Sequence, residues 1–134
     1  MYRKNNRLAE IDPANVKRIL VFGDIHGDFR ALEQGLSGIQ EGDLTIFLGD
    51  YADRGPYGVE VIEKVDSCIS EYPERFIGIK GNHEDYLETG EPVFSPWTLG
   101  DDVRRSGKKW ETFFPKFSAF VGKLYLAALF PGYA

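Results

Sequence analysis

Three short apolar runs, each closed by glycine and a cluster of polar residues, constrain this chain more than any other feature. They are RILVF at 18–22 before GDIHG at 23–27, LTIFL at 44–48 before GDYADRG at 49–55, and FIGI at 76–79 before GNHE at 81–84. A continuous apolar run of this length is the pattern of a strand buried on both faces. The blocks lie about 26 and 31 residues apart, which leaves room for a crossover helix between successive strands. The reading is an α/β fold with a mainly parallel sheet built from successive βαβ units. Ligands in such sheets bind just beyond the carboxyl ends of the strands, where all three blocks stand.

The segments between the strands agree. Phe29, Leu32, Leu36 and Ile39 recur at helical spacing, although Gly35 and Gly38 weaken that helix. Glu41-Gly42-Asp43 reads as a turn. Val61, Ile62, Val65, Cys68, Ile69 and Tyr72 fit a second helix, which Pro73 stops. Residues 1–16 read as a polar lead-in and 17–88 as the βαβαβ core. In 89–134 a loop to residue 100 is followed by an apolar, aromatic segment that is helical in parts. At the end of the core 84–88 reads as a short helix; beyond it 101–105 reads as a helical turn and Pro115 as an interruption. Nothing marks a linker, so 1–134 reads as one domain, with no internal repeat.

Composition sets outer bounds. With 134 residues, 43% hydrophobic and 28% charged, the chain has the make-up of a globular domain with one core. A net charge of −5 argues against a general nucleic-acid binder. The one cysteine, Cys68, precludes an intrachain disulfide and fits a reducing compartment. No apolar stretch is long enough to span a bilayer and the first residues lack a signal-peptide pattern, so the expectation is a cytoplasmic protein with no membrane partner.

The chemistry lies in the blocks. Asp24 and His26, two residues apart in a tight segment, can converge on one point, and that pair suits Mn, Fe or Zn better than Ca. A plainer reading makes Asp24 a helix cap, but Asp28 is at least as well placed for that. Asp50 follows the second strand directly and faces the same crevice, where its two oxygens can bridge two cations. Arg54 offers a bidentate fork for phosphate oxygens; the plain reading is an Asp53–Arg54 surface charge pair. Asn82 offers a neutral oxygen ligand. His83 can protonate a leaving alkoxide if a partner fixes its tautomer, and Asp53 is the candidate. A lone histidine is more often structural. Here both histidines of the chain fall in blocks that each carry Asp or Asn near their start.

GDIHG, GDYADRG and GNHE together resemble the signature blocks of calcineurin-like metallophosphoesterases, specifically the phosphoprotein phosphatase branch. The likeness is close over residues 18–88. It implies a β-sandwich flanked by helices, of which this chain would form the amino-terminal half. It also implies two divalent metal ions (Mn, Fe or Zn), with Asp24 and His26 on the first, Asp50 bridging and Asn82 on the second. His83 would be the general acid paired with Asp53, Arg54 and Asn82 would bind the phosphate, and a metal-bound hydroxide would attack phosphorus in line. The DRG loop and the GNHE ending favour this branch over nuclease-like relatives. Substrates would be phosphorylated protein or a small phosphate ester such as a dinucleoside polyphosphate.

Family domains are roughly twice this length and bring two further metal-binding histidines, the first on a strand that LYLAALFPGYA at 124–134 resembles in its run-up. No histidine follows His83. The expectation is weakened catalysis, with partial or no metal occupancy. It extends to an apolar sheet face that a missing carboxy-terminal half, a dimer partner or unusual packing of 108–134 would cover. The competing expectation is a non-catalytic fragment or interaction module that keeps part of the metal and phosphate pocket.

Overall fold

The computed structural model describes residues 2–3 and 8–130. The three apolar runs form β3 (Arg18–Phe22), β4 (Asp43–Phe47) and β5 (Phe76–Gly78). They are parallel, in the spatial order β3-β4-β5, with Phe22 opposite Phe47 and Phe47 opposite Gly78. This register brings all three strands to an end at one edge, so the polar blocks leave the sheet side by side. Two crossover helices connect them, α1 (Phe29–Leu36) and α2 (Gly58–Glu71). Asp28, not Asp24, caps α1, accepting a hydrogen bond from the Ala31 N–H at 3.0 Å. Gly35 costs helix propensity but leaves room for the Phe22 ring, which a Cβ at this position would strike.

The helices cover one face of this sheet. Phe47, Leu32, Val61, Val65, Phe117 and Phe120 belong to one core, to which Phe113 is added from α4 (Trp110–Val121). Pro115 does not interrupt α4. An interior proline costs a helix about 3 kcal/mol, and burial of three phenylalanines from the same helix, at about 1.5–3 kcal/mol each, outweighs it. A short helix, α3 (Leu99–Arg105), joins this layer.

The other face packs on a second sheet that the sequence did not announce. Within the segment read as a polar lead-in lie β1 (Tyr2–Arg3) and β2 (Leu8–Glu10), and β2 pairs in parallel with β6 (Ala127–Leu129). Ala9 and Ile11 are buried there against Leu44, Ile46 and Ile77. The two sheets meet where Tyr125 bridges Ile79, its N–H donating to the Gly78 carbonyl at 2.9 Å. The described residues are thus a mixed α/β arrangement, two β layers with helices on one side.

Two further expectations are corrected. All of β4 is buried, but β3 is an edge strand, with Ile19 and Val21 37% and 57% exposed. The second sheet lies over β4 and β5 and stops short of β3. The helix expected over 84–88 is absent, and residues 85–88 are not helical. Asn82–Glu84 is one 3-10 turn, after which Tyr86 forms an antiparallel bridge with Pro92. The Glu84 side chain is drawn into the protein, and the chain leaves it extended. Among the described residues no helix is long and apolar enough to cross a membrane.

Arg18 and Asp43 face each other where β3 and β4 begin. Arg18 donates to the two Asp43 oxygens at 2.9 and 2.6 Å, and the Gln40 N–H adds a third bond at 2.7 Å. The Arg18 hydrogen bond, then the Gln40 N–H, hold the Asp43 carboxyl below its ordinary range. A group depressed in the folded chain stabilises it above the ordinary carboxylate pKa, and that contribution disappears as pH falls through the range towards the folded value. Arg18→Met is expected to lower the urea midpoint at pH 7 and to flatten its fall between pH 7 and pH 3. Parallel falls in variant and parent would refute this assignment.

Candidate metal centre

The loops after β3 and β4 depend on backbone conformations that few residue types accept. Asp24, His26, Asp50, Asp53 and Arg54 have φ of 45, 44, 56, 71 and 74°. They are the only described non-glycine residues with positive φ, and each such residue costs on the order of 1–3 kcal/mol. Cross-loop hydrogen bonds hold the conformation. The His26 N–H donates to the Asp50 carbonyl, Gly27 N–H to Tyr51, and Gly55 N–H to His26, at 2.9, 2.8 and 2.9 Å. Gly27 and Gly55 permit this close approach, since a Cβ on Gly27 would strike the Gly55 backbone and one on Gly55 the His26 carbonyl.

The strained turns turn their side chains towards one point. Asp24, His26 and Asp50 offer ligand atoms that all lie within 4.8 Å of one another. Asp24 is exposed, while the His26 and Asp50 side chains are 14% and 16% exposed. His26 Nδ1–H donates to the Ala52 carbonyl at 2.9 Å, which fixes the tautomer and leaves Nε2 as a lone pair. Nε2 stands 3.9 Å from Asp50 Oδ2. The exposed Asn82 lies beside Asp50, and its amide, oriented to satisfy both partners, donates from nitrogen to Oδ1 and Oδ2 at 3.1 and 3.2 Å. The Nε2 lone pair of His26 thus confronts the Asp50 carboxylate. A cation of the kind that takes N and O ligands resolves that confrontation, and the residues present fit one.

The third block supplies a buried pair. His83 Nδ1–H donates to Asp53 Oδ2 at 2.9 Å, and the two side chains are 3% and 0% exposed. The other Asp53 oxygen accepts from the Thr98 and Leu99 N–H groups at 2.7 and 2.8 Å, at the start of α3. Asp53 is therefore no surface partner of Arg54. The Arg54 side chain is exposed, and the Arg54 backbone N–H donates to Thr98 Oγ1 at 3.0 Å. The His26 ring meets the His83 ring edge-on at 4.9 Å, so the cluster and the pair adjoin. All seven residues singled out from the sequence lie along this one edge.

The sequence reading gave no role to three neighbours. Glu84 is buried, and its oxygens accept from the Asp50, Tyr51 and Gly81 N–H groups at 2.8, 3.1 and 2.8 Å. Burial pushes its carboxyl up, against the pull of these three bonds. Thr98 holds both Asp53 and Arg54. Phe94 lies against His83. Glu84 at least stood inside a block, whereas Thr98 and Phe94 carried no signal of spacing or motif.

Comparison with known proteins adds to this geometry. The profile of the family described as Calcineurin-like phosphoesterase matches residues 17–131. A serine/threonine-protein phosphatase of Caenorhabditis elegans is 31% identical over 119 residues, covering 85% of this chain and 25% of the relative. A Saccharomyces cerevisiae protein serine/threonine phosphatase, described as similar to human phosphatase PP5, superposes with a TM-score of 0.71 and 26% identity, covering 93% of this chain and 38% of the other. A candidate diadenosine tetraphosphatase shares the fold at a TM-score of 0.56 and 16% identity, covering 93% of this chain and 50% of its own. The chain thus spans about a quarter of the length of the curated relative.

Glu84→Gln keeps one acceptor and turns an amide N–H towards backbone N–H groups. It is expected to cost about 1–3 kcal/mol in urea unfolding and to weaken Mn uptake in equilibrium dialysis, because the Asp50 backbone loses its anchor. Unchanged stability together with unchanged uptake would refute the anchoring role.

Proposed function

The chain belongs to the calcineurin-like phosphoesterase family, and from that premise we propose that it carries a metal-dependent phosphoester-hydrolysing site that acts on phosphorylated protein side chains. One observation carries the reading: a buried His83–Asp53 pair at 2.9 Å adjoining three converging metal-type ligands. The phosphoprotein substrate is supported by the names of the two relatives above 25% identity. The dinucleoside polyphosphate alternative has only a shared fold behind it.

In this reading Asp24, His26, Asp50 and Asn82 hold divalent cations, with Mn, Fe and Zn as the candidates. Bound there, the cations supply Lewis-acid charge to the phosphoryl oxygens and make a water acidic enough to attack at neutral pH. The protein's own residues do the rest. Arg54, whose side chain is exposed at the rim and whose backbone N–H is held by Thr98, pairs with phosphate oxygens, and the exposed Asn82 borders the same space. Hydrolysis breaks the bond from phosphorus to the leaving oxygen and forms one to water oxygen. The departing oxygen must then gain a proton. His83 holds it on Nε2, because Asp53 accepts the Nδ1–H and fixes the ring. Asp53 is in turn fixed by two backbone N–H groups, so the ring loses little freedom as the proton moves.

The test is phosphate release from a phosphoserine peptide by the Mn-loaded chain. His83→Ala is expected to lower kcat about 10²–10⁴-fold and to leave Mn uptake within about twofold of the parent. The loss should shrink with p-nitrophenyl phosphate, whose leaving group needs little protonation. Asp50→Ala should abolish Mn uptake and hydrolysis together. No hydrolysis by the parent, or full turnover in His83→Ala, would overturn the proposal.

A further inference from the structure

We infer that Phe94 is a specificity-determining residue, an apolar wall on the leaving-group side of the site that favours phosphoesters with a flat, apolar leaving group. This rests on the role just proposed for His83. The His83 ring has three notable neighbours: Asp53 at Nδ1, the His26 ring edge-on at 4.9 Å, and the Phe94 ring at 4.3 Å between centroids, inclined by 47°. The first two belong to the blocks. Phe94 comes from the irregular segment between Asn82–Glu84 and α3, and it is apolar.

The ring has a firm support behind it. Tyr86 meets Phe94 edge-on at 5.2 Å and Phe117 of the core at 5.2 Å. Its hydroxyl accepts a hydrogen bond from Trp97 Nε1 at 2.8 Å. Phe94 is thus pinned between the core and His83, yet keeps part of its surface exposed, next to Val93 at 51% exposure. The Nδ1 side of His83 is taken by Asp53. In this inference a leaving oxygen protonated by Nε2 carries its substituent past Phe94, the apolar ring that lies against His83. An aromatic or flat apolar substituent gains ring contact there and gives up little hydration. A small or hydroxyl-rich substituent gains nothing, and its polar groups lose water against an apolar face.

Phenylphosphonate and methylphosphonate place a phenyl or a methyl group where the leaving group would stand, and neither is hydrolysed. Their affinities for the Mn-loaded 134-residue chain can be measured by isothermal titration calorimetry. The parent is expected to bind phenylphosphonate about tenfold more tightly. Phe94→Ala should reduce that preference to about twofold with methylphosphonate affinity unchanged, and Phe94→Tyr should keep it. Phe94→Leu, which preserves most of the packing, should give an intermediate preference and decides the matter if Phe94→Ala does not fold. A preference that survives in both the alanine and leucine variants overturns the inference. So does an equal loss for both phosphonates, which would make the ring a mere prop for His83. Methylphosphonate binding with no preference in the parent sinks the inference alone, whereas failure of both phosphonates to bind sinks the phosphate-site reading with it.

Discussion

One buried carboxylate, Glu84, ties the site together. It takes N–H groups from Asp50 and Tyr51 after β4 and from Gly81 after β5, and so fastens the two loops to one another. The tie is costly. Burial disfavours its charge, and Asp50 nearby adds repulsion. Three backbone donors offset that cost, and they are donors a strand end must place somewhere in any case. Gly81 shows how tightly the tie is drawn, since a Cβ there would collide with the Asp50 side chain. Asp50 also accepts the His83 N–H. The Asp50 carboxylate, the buried histidine and the loop glycine are thus set by one local arrangement, and a shift in any of them is felt by all.

Backbone strain and charge crowding arise in the same few residues. Five polar residues occupy left-handed conformations that glycine would adopt more cheaply. They persist because the loops after β3 and β4 are zipped by cross-loop bonds and sealed by two glycines. The same turns crowd Asp24, Asp50, Asp53 and Glu84 along one edge of a sheet. Asp53 and Glu84 spend their charge on backbone N–H groups and on His83. Among the described residues neither Asp24 nor Asp50 pairs with a lysine or arginine, and that residual charge is what a metal ion would neutralise.

The parts of this arrangement legible in the sequence are those fixed by local pattern. Buried β4 shows as an unbroken apolar run, α2 as a helical period ended by Pro73, and the candidate ligands as polar residues directly after strands. The parts that were not legible depend on partners far along the chain. β2 is a strand because Leu8–Glu10 finds Ala127–Leu129, and nothing in a charged amino-terminal segment foretells that pairing. β3 reads as doubly buried, yet its burial is decided by how far the second sheet extends. Gly35 reads as a helix breaker, yet its missing side chain lets α1 pack on Phe22. Thr98 reaches Asp53 and Arg54 across 45 and 44 positions, a contact with no periodicity to reveal it.

This separation divides the site by origin. The metal-type ligands stand on strand ends and rely on Glu84 and the zipped turns, all within the three blocks. The buried His83–Asp53 pair leans the other way. Asp53 is held by the first residues of α3, and His83 is flanked by Phe94 from the segment before that helix. Substitutions between residues 85 and 99 can therefore reshape the surroundings of His83 while the ligand geometry stays anchored elsewhere. Under the proposed function, one set of ligands could then serve different leaving groups, because the ring against His83 comes from a segment that the Glu84 tie and the zipped turns do not hold.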